Sequence, residues 1–165
     1  MASAQWPPRE LALMERKLDE RADLVGKGSN ISNDVRCWLA RLLVVRACGY
    51  LEQVLLAVQR GYVGQKSGGP VSAFAQSWLE WGNNPRPDVL VRSIGRFGGN
   101  FEYDIDKFLR DNSTRWSDIA FLVDRRNKIS HGENESVGPV RALQLKEVAV
   151  EVADWLIRRM NPMNP

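Results

Sequence analysis

Residues 35–62 form the most apolar stretch of the chain and read VRCWLARLLVVRACGYLEQVLLAVQRGY. Apolar side chains in this segment point almost everywhere around a helical wheel, a pattern typical of a helix enclosed by other elements. Ser32, Asn33 and Asp34 precede the segment and are typical helix N-cap residues. The stretch therefore predicts one long helix, over about 35–62, at the centre of a helical bundle.

Shorter amphipathic helices are predicted on both sides of this segment. Towards the N-terminus, Pro7 and Pro8 open a helix that ends at Gly26, with apolar residues every three or four positions. Towards the C-terminus, a flexible loop is expected at 64–70. A third helix then begins at Pro70 and carries three aromatic residues on one face, which are Phe74, Trp78 and Trp81.

The remainder of the chain continues the helical pattern. Two short helices are expected at 87–94 and 101–109, followed by a helix that ends at Gly132 and a last one that ends before Pro162. No strand alternation of useful length and no internal repeat occurs. The sequence thus predicts an all-α, up-and-down bundle of four to five main helices with short additional helices. A single domain is expected over 8–160, with tails at 1–7 and 161–165.

The bulk composition excludes little about function. The formal net charge of +3 comes from 23 basic and 20 acidic residues, and such a weak excess neither identifies nor excludes RNA binding. Cys37 and Cys48 are eleven residues apart on one predicted helix, about 16 Å along its axis, too far for a disulfide. One histidine and two distant cysteines fit no zinc spacing. We expect reduced thiols, no metal, no cofactor, no membrane span and a cytoplasmic location.

Arg126 and His131 are the residues most suggestive of chemistry. On a helical wheel Arg126 lies in the middle of the apolar stripe formed by Ile119, Leu122 and Val123, whereas Asp124, Arg125 and Lys128 fall on the opposite, solvated face. A guanidinium on an apolar face needs a partner or a polar cleft. A structural role, with the stem packed and the head at the rim or on a carboxylate, remains open.

His131 is the only histidine of the chain and stands before Gly132, where the helix is expected to end. By itself such a histidine is commonly a surface residue or a partner of the helix dipole. Beside Arg126 it gains a second interpretation. An imidazole can exchange protons with a ribose 2′-hydroxyl or a departing 5′-oxygen, and a guanidinium can stabilise the charge on a pentacoordinate phosphate. Together they would form a metal-independent ribonuclease site.

The segment RRNKISHG at 125–132 resembles the signature of the HEPN superfamily and, within it, of RiboL-PSP-type HEPN domains. In that signature an Arg, followed by a polar residue, precedes a His and usually a Gly. Here the matching residues are Arg126, Asn127, His131 and Gly132, with Ser130 where a small apolar residue is more usual. The segment VVRACGYLE at 44–52 also looks like the first long core helix of that subfamily. The resemblance covers about 35–155.

This resemblance implies a helical bundle that usually dimerises, with Arg126, Asn127 and His131 forming a catalytic site in a shared cleft. It further implies RNA cleavage without metal to leave a 2′,3′-cyclic phosphate, in a toxin or antiviral defence context, with a cognate antitoxin or defence-system partner. Other members of the superfamily bind RNA or a protein partner without cutting. A non-catalytic binding module is therefore the alternative function.

Two further sets of residues accompany the motif. Glu52 lies among apolar neighbours on the central helix and therefore needs a positive partner, for which Arg126 is a candidate. In a supporting role Glu52 would orient Arg126 or His131. The alternative is a rim residue bonded to an unrelated Arg or Lys. A separate polar ridge on the same helix consists of residues spaced seven apart, namely Arg46, Gln53 and Arg60. Three surroundings are open for this ridge: RNA, a second subunit or only water. The six tryptophans, including Trp38, Trp78, Trp81 and Trp155, are expected in the core, with Trp116 kept open as a surface contact.

Overall fold

The computed structural model describes residues 6–27, 31–79, 84–133 and 136–164. In this part of the chain every regular element is a helix, which confirms the all-α class. Seven helices follow one another: α1 (Arg9–Gly26), α2 (Asn33–Lys66), α3 (Gly69–Ser77), α4 (Pro87–Gly95), α5 (Phe101–Asp111), α6 (Arg115–Ser130) and α7 (Pro139–Arg159).

The long helix α2 is the centre of the bundle, as its sequence predicts. It packs most extensively against α7, and it also contacts α1, α6 and α3. Its core side chains are almost completely buried, and they interdigitate with an equally buried row on α7 that includes Leu145, Val152 and Leu156. Ser32 is its N-cap, because the Ser32 hydroxyl accepts a hydrogen bond from the Val35 N–H at 3.4 Å.

The same helix is the one element of the described residues that is long and apolar enough to cross a membrane by length and composition alone. Of its most apolar window, 56% is buried inside the bundle. This burial gives the apolar composition a structural reason that requires no membrane, because the side chains of a central helix need apolar surroundings on several sides.

The structure corrects the predicted loop at 64–70. Helix α2 continues through Gly64 to Lys66, and only Ser67 and Gly68 separate it from α3. Ser67 ends α2 by donating both its N–H, at 3.0 Å, and its hydroxyl, at 2.7 Å, to the Val63 carbonyl oxygen. A single exposed glycine weakens a helix by only about 1 kcal/mol, and a long packed helix tolerates that cost.

The expectation that the tryptophans lie in the core is wrong for two of them. Trp38 is 67% exposed and Trp78 is 71% exposed. Trp38 lies on the side of α2 that no other helix covers, and α3 is so short that it leaves Phe74 and Trp78 in solvent. Trp155 is partly buried and stacks on Phe108 at 4.9 Å, as expected for a core residue. Trp81 lies outside the described residues.

Both ends of the described chain pack on the bundle. The Trp6 indole N–H donates to the Ile157 carbonyl oxygen at 3.1 Å, and the Trp6 ring covers Gly61 on α2. At the other end, the Lys66 ammonium donates to the Asn164 carbonyl oxygen at 3.4 Å. Cys37 and Cys48 are both free thiols, as their spacing predicts.

Two glycines of α2 give a matched test of this packing. A Cβ at Gly61 would collide with the Trp6 ring, whereas a Cβ at Gly49 would meet no described atom within 4 Å. We expect Gly49→Ala to raise the free energy of unfolding by about 1 kcal/mol through helix propensity. The free energy of unfolding of Gly61→Ala should lie at least about 1 kcal/mol below that of Gly49→Ala, because Trp6 must move and lose its hydrogen bond. Urea unfolding of both variants measures the difference, and equal stabilities would contradict the Trp6 contact.

Candidate active site

Arg126 reaches a cleft because α6 is fixed on α2 by its apolar stripe. Ile119, Leu122 and Val123 are completely buried, and Arg126 follows them one turn later on the same side of the helix. Its guanidinium therefore points towards α2, where it forms an ion pair with Glu52. The Arg126 side chain is 24% exposed and the Glu52 side chain 27% exposed. The structure thus brings together the two residues whose pairing the sequence suggested, at the edge of the core.

This ion pair forms one wall of an open cleft with a volume of about 550 Å³. Gly49 lies between Arg46 and Glu52 on the exposed side of α2, and its missing side chain leaves the middle of the cleft open. The cleft is therefore lined by charged and apolar groups in close succession. The lining residues are Met14, Leu42, Val45, Arg46, Gly49, Tyr50, Glu52, Gln53 and Arg126.

Two other ionisable side chains of α2 lie close to Arg126 or in its cleft. Burial raises the pKa of the Cys48 thiol, and the hydrogen bond and charge of Arg126 reverse only part of that effect. Burial, followed by the negative charge of Glu15, raises the pKa of Tyr50, whose hydroxyl donates to that carboxylate at 3.3 Å. Both groups remain protonated at neutral pH. Neither can act there as a general base or an anionic nucleophile.

His131 is the C-cap of α6. Its N–H donates to the Asn127 carbonyl oxygen at 3.0 Å, and Gly132 follows with a φ of 78°, a left-handed conformation that ends the helix. The imidazole is exposed, and His131 is not among the residues that line the cleft of Arg126. Asn127 is half-buried and does not line that cleft either. Within one chain, the cleft therefore contains Arg126, Glu52 and Arg46 of the predicted site.

The structure corrects one residue of the solvated face predicted for α6, whereas Asp124 and Lys128 keep 47% and 35% of their side chains exposed. The Arg125 side chain is only 21% exposed, slightly less than that of Arg126. Its guanidinium carbon lies 4.6 Å from the centre of the Phe121 ring, so its stem and head pack along the helix surface. A helical wheel misses this burial because it places residues by angle and does not show how far a long side chain folds back.

The polar ridge of Arg46, Gln53 and Arg60 lies along the uncovered side of α2. Arg46 and Gln53 line the cleft of Arg126, and Gln53 and Arg60 line a second cavity beyond it. The seven-residue spacing therefore marks a continuous groove along α2, bordered on one side by Met14 of α1. Sequence reasoning missed Gly49, although a glycine in the interior of a strongly helical segment was the available signal.

A comparison with protein families identifies the family of the chain. The family model described as RiboL-PSP-HEPN matches residues 10–160, which include all seven helices almost completely. The chain belongs to the RiboL-PSP-HEPN family. The match extends beyond the span of about 35–155 that the sequence motifs indicated. It includes α1, which supplies Met14 to the cleft, and all of α7, the main packing partner of α2.

The comparisons with curated proteins and with solved structures give no match. Among residues 6–27, 31–79, 84–133 and 136–164, no group of three or more His, Cys, Asp or Glu side chains is arranged to hold a metal ion.

A double-mutant cycle tests the ion pair that defines the cleft. We expect Glu52→Ala and Arg126→Ala each to destabilise the protein, with a coupling free energy of about 1–2 kcal/mol, because either change leaves a half-buried charge without its partner. The exposed pair of Asp106 and Arg110 serves as the control and should show a coupling of at most about 0.5 kcal/mol. Equal coupling in the two cycles, measured by urea unfolding, would mean that Glu52 does not hold Arg126.

Proposed function

We propose that this RiboL-PSP-HEPN chain is a metal-independent endoribonuclease that cleaves RNA through Arg126 and His131. The observation that carries the proposal is the position of Arg126, which is fixed by Glu52 and still faces an open cleft. A guanidinium that only stabilised the core would have no need of such an opening. Arg46 adds a second positive charge on the same side, suited to the phosphate backbone of RNA.

In this proposal Arg126 binds the scissile phosphate. A guanidinium offers paired N–H donors to two phosphate oxygens, and it stabilises the additional negative charge as the phosphorus becomes pentacoordinate. The ion pair with Glu52 fixes the orientation of the guanidinium before the substrate arrives, which reduces the cost of ordering it. Glu52 is thus a positioning residue and Arg126 is the catalytic residue.

His131 supplies the proton transfers. The 2′-oxygen of the ribose attacks the adjacent phosphorus while the imidazole takes its proton, and the bond from phosphorus to the 5′-oxygen breaks. The departing 5′-oxygen then takes up a proton from the same imidazole, which returns to its neutral form. The products are a 2′,3′-cyclic phosphate and a 5′-hydroxyl end. The backbone carbonyl of Asn127 accepts the backbone N–H of His131 one helical turn later, so Asn127 helps to fix the place at which the histidine leaves the helix.

We further propose that the active form is a homodimer in the cytoplasm. His131 is exposed but does not line the cleft of its own chain, so a two-fold arrangement supplies it from the neighbouring copy. Val35, Trp38 and Leu42 are exposed apolar residues on α2 at one end of the same groove, and such residues favour a covered surface. A toxin or antiviral defence role, with a cognate antitoxin as a further partner, is the biological setting that the family suggests.

One observation favours a second function. The charge of Arg126 is already neutralised by Glu52, and the imidazole lies outside the cleft, as in a module that binds RNA or a protein without cutting. The two functions differ in whether Arg126 and His131 change the chemistry of bound RNA or only its affinity.

Cleavage of total RNA in the presence of EDTA separates these functions. We expect wild-type protein to release fragments with cyclic-phosphate ends, and Arg126→Ala and His131→Ala each to reduce the rate by about 10²- to 10⁴-fold, because each removes transition-state stabilisation. Arg125→Ala is the matched control, since it removes a neighbouring guanidinium of equal charge that does not line the cleft. Intact RNA with folded wild-type protein, together with an RNA affinity that falls in Arg126→Ala and His131→Ala but not in Arg125→Ala, would favour the binding module.

Mixing the two inactive variants tests the shared site. In a dimer formed from one Arg126→Ala chain and one His131→Ala chain, one composite site retains both functional groups if they come from different copies. Random exchange of an equal mixture should then recover about a quarter of the wild-type rate, because half of the dimers are mixed and each has one intact site. Activity that stays at the level of the separate variants would show that each chain uses its own histidine.

A further inference from the structure

A second cavity lies beside the cleft of Arg126, between α1, α2 and α3. Its volume is about 600 Å³, and it shares two lining residues, Met14 and Gln53, with the cleft. The two spaces therefore form one groove along the uncovered side of α2. A chain bound at Arg126 and following this groove in one direction enters the second cavity next.

The lining of this cavity combines apolar surface with amide groups. Leu11, Met14, Leu56 and Ala57 supply the apolar surface, and the polar side chains stand around it. Three of these polar groups are amides, and the other two carry opposite charges. They are Gln53, Gln65, Gln76, Glu10 and Arg60.

We propose that this cavity is a specificity pocket for one unpaired nucleobase next to the scissile phosphate, an inference that rests on the proposed ribonuclease function. A base has apolar faces and a polar edge, so it needs apolar surface for its ring and amide groups for its edge. A glutamine amide both donates and accepts, which suits the paired donor and acceptor of a base edge. The thioether of Met14 also makes favourable contacts with aromatic rings.

The distance along α2 fits an adjoining nucleotide. Ala57 lies five residues after Glu52, which is about 7.5 Å along the helix axis. Because Glu52 holds Arg126, this is also the approximate component, measured along α2, of the offset between the phosphate site and the apolar surface of the pocket. One nucleotide spans that offset, so the base concerned belongs to the nucleotide beside the cut.

Gly64 and Gln76 are the residues that control the size and chemistry of the pocket. A Cβ at Gly64 would lie 3.6 Å from the Gln76 side-chain nitrogen, at ordinary contact distance, so larger side chains there extend into the space that Gln76 borders. The Gln76 amide N–H donates to the Ser72 hydroxyl at 3.1 Å, which fixes the orientation of the amide. Glycine at 64 thus keeps the pocket open, and the fixed amide reads the base.

The first measurement is the sequence preference at the cut. Random-sequence RNA is cleaved by wild-type, Gly64→Leu and Gln76→Ala proteins, and the new ends are sequenced. We expect at least a tenfold difference between the best and worst base at one flanking position for the wild type, falling to about twofold or less in both variants. Gln144→Ala is the matched control, because Gln144 is an exposed glutamine on α7 that lines neither space. Circular dichroism checks that the variants are folded.

The second measurement is independent of cleavage. Fluorescence anisotropy follows the binding of labelled 2′-O-methyl tetranucleotides with A, C, G or U at the position of interest, and these probes cannot be cut. Loss of base discrimination in both pocket variants, with the control unchanged, supports the pocket. If the pocket variants cleave RNA with the same base preference as wild type and bind the probes with the same base discrimination, the pocket is overturned and the ribonuclease proposal stands. Discrimination without any cleavage overturns the ribonuclease and supports base binding. If wild-type protein shows neither cleavage nor base discrimination, both the ribonuclease and the pocket are overturned.

Discussion

The apolar surface of α2 is the constraint on which the bundle depends. Its buried residues point to several sides at once, so one partner helix cannot cover them, and α7, α1 and α6 each take one side. The direct contribution of this burial is large, at about 25 cal/mol for each Å² of apolar surface removed from water. The positions of the other helices are consequences of covering α2. The remaining uncovered side is where the groove lies.

A helix that is covered on most sides provides a rigid base for a site on its last open side. Glu52 stands on α2 at the border between core and groove, and it meets Arg126 from α6 there. The burial of Ile119, Leu122 and Val123 fixes α6 and thus the base of the Arg126 side chain. The core and the candidate site are therefore not separate features, because the residues that hold α6 on α2 also set the position of the guanidinium.

The chemistry available in the groove is restricted. Cys48 and Tyr50 are close to Arg126 or in its cleft, but burial keeps both protonated, so they cannot take the proton of a ribose hydroxyl at neutral pH. His131 supplies the single imidazole of the chain, and imidazole is the group that most often transfers protons in enzyme sites. Its position at the exposed end of α6, outside the cleft of its own chain, makes the proposed catalysis depend on the association of two copies.

The sequence by itself determined the fold class, the central helix and the identity of the motif, because these depend on local periodicity and on residues close together in the chain. The pairing of Glu52 with Arg126 was available as one of several possibilities, since the apolar neighbours of Glu52 required a positive partner. Tertiary structure decided which cation that was. It also decided that Trp38 and Trp78 are exposed, that Arg125 packs on Phe121, and that two cavities join along α2. A helical wheel gives the angle of each residue around its own helix, but it does not show which of these angles a neighbouring helix covers. That coverage is set by contacts between segments far apart in the chain.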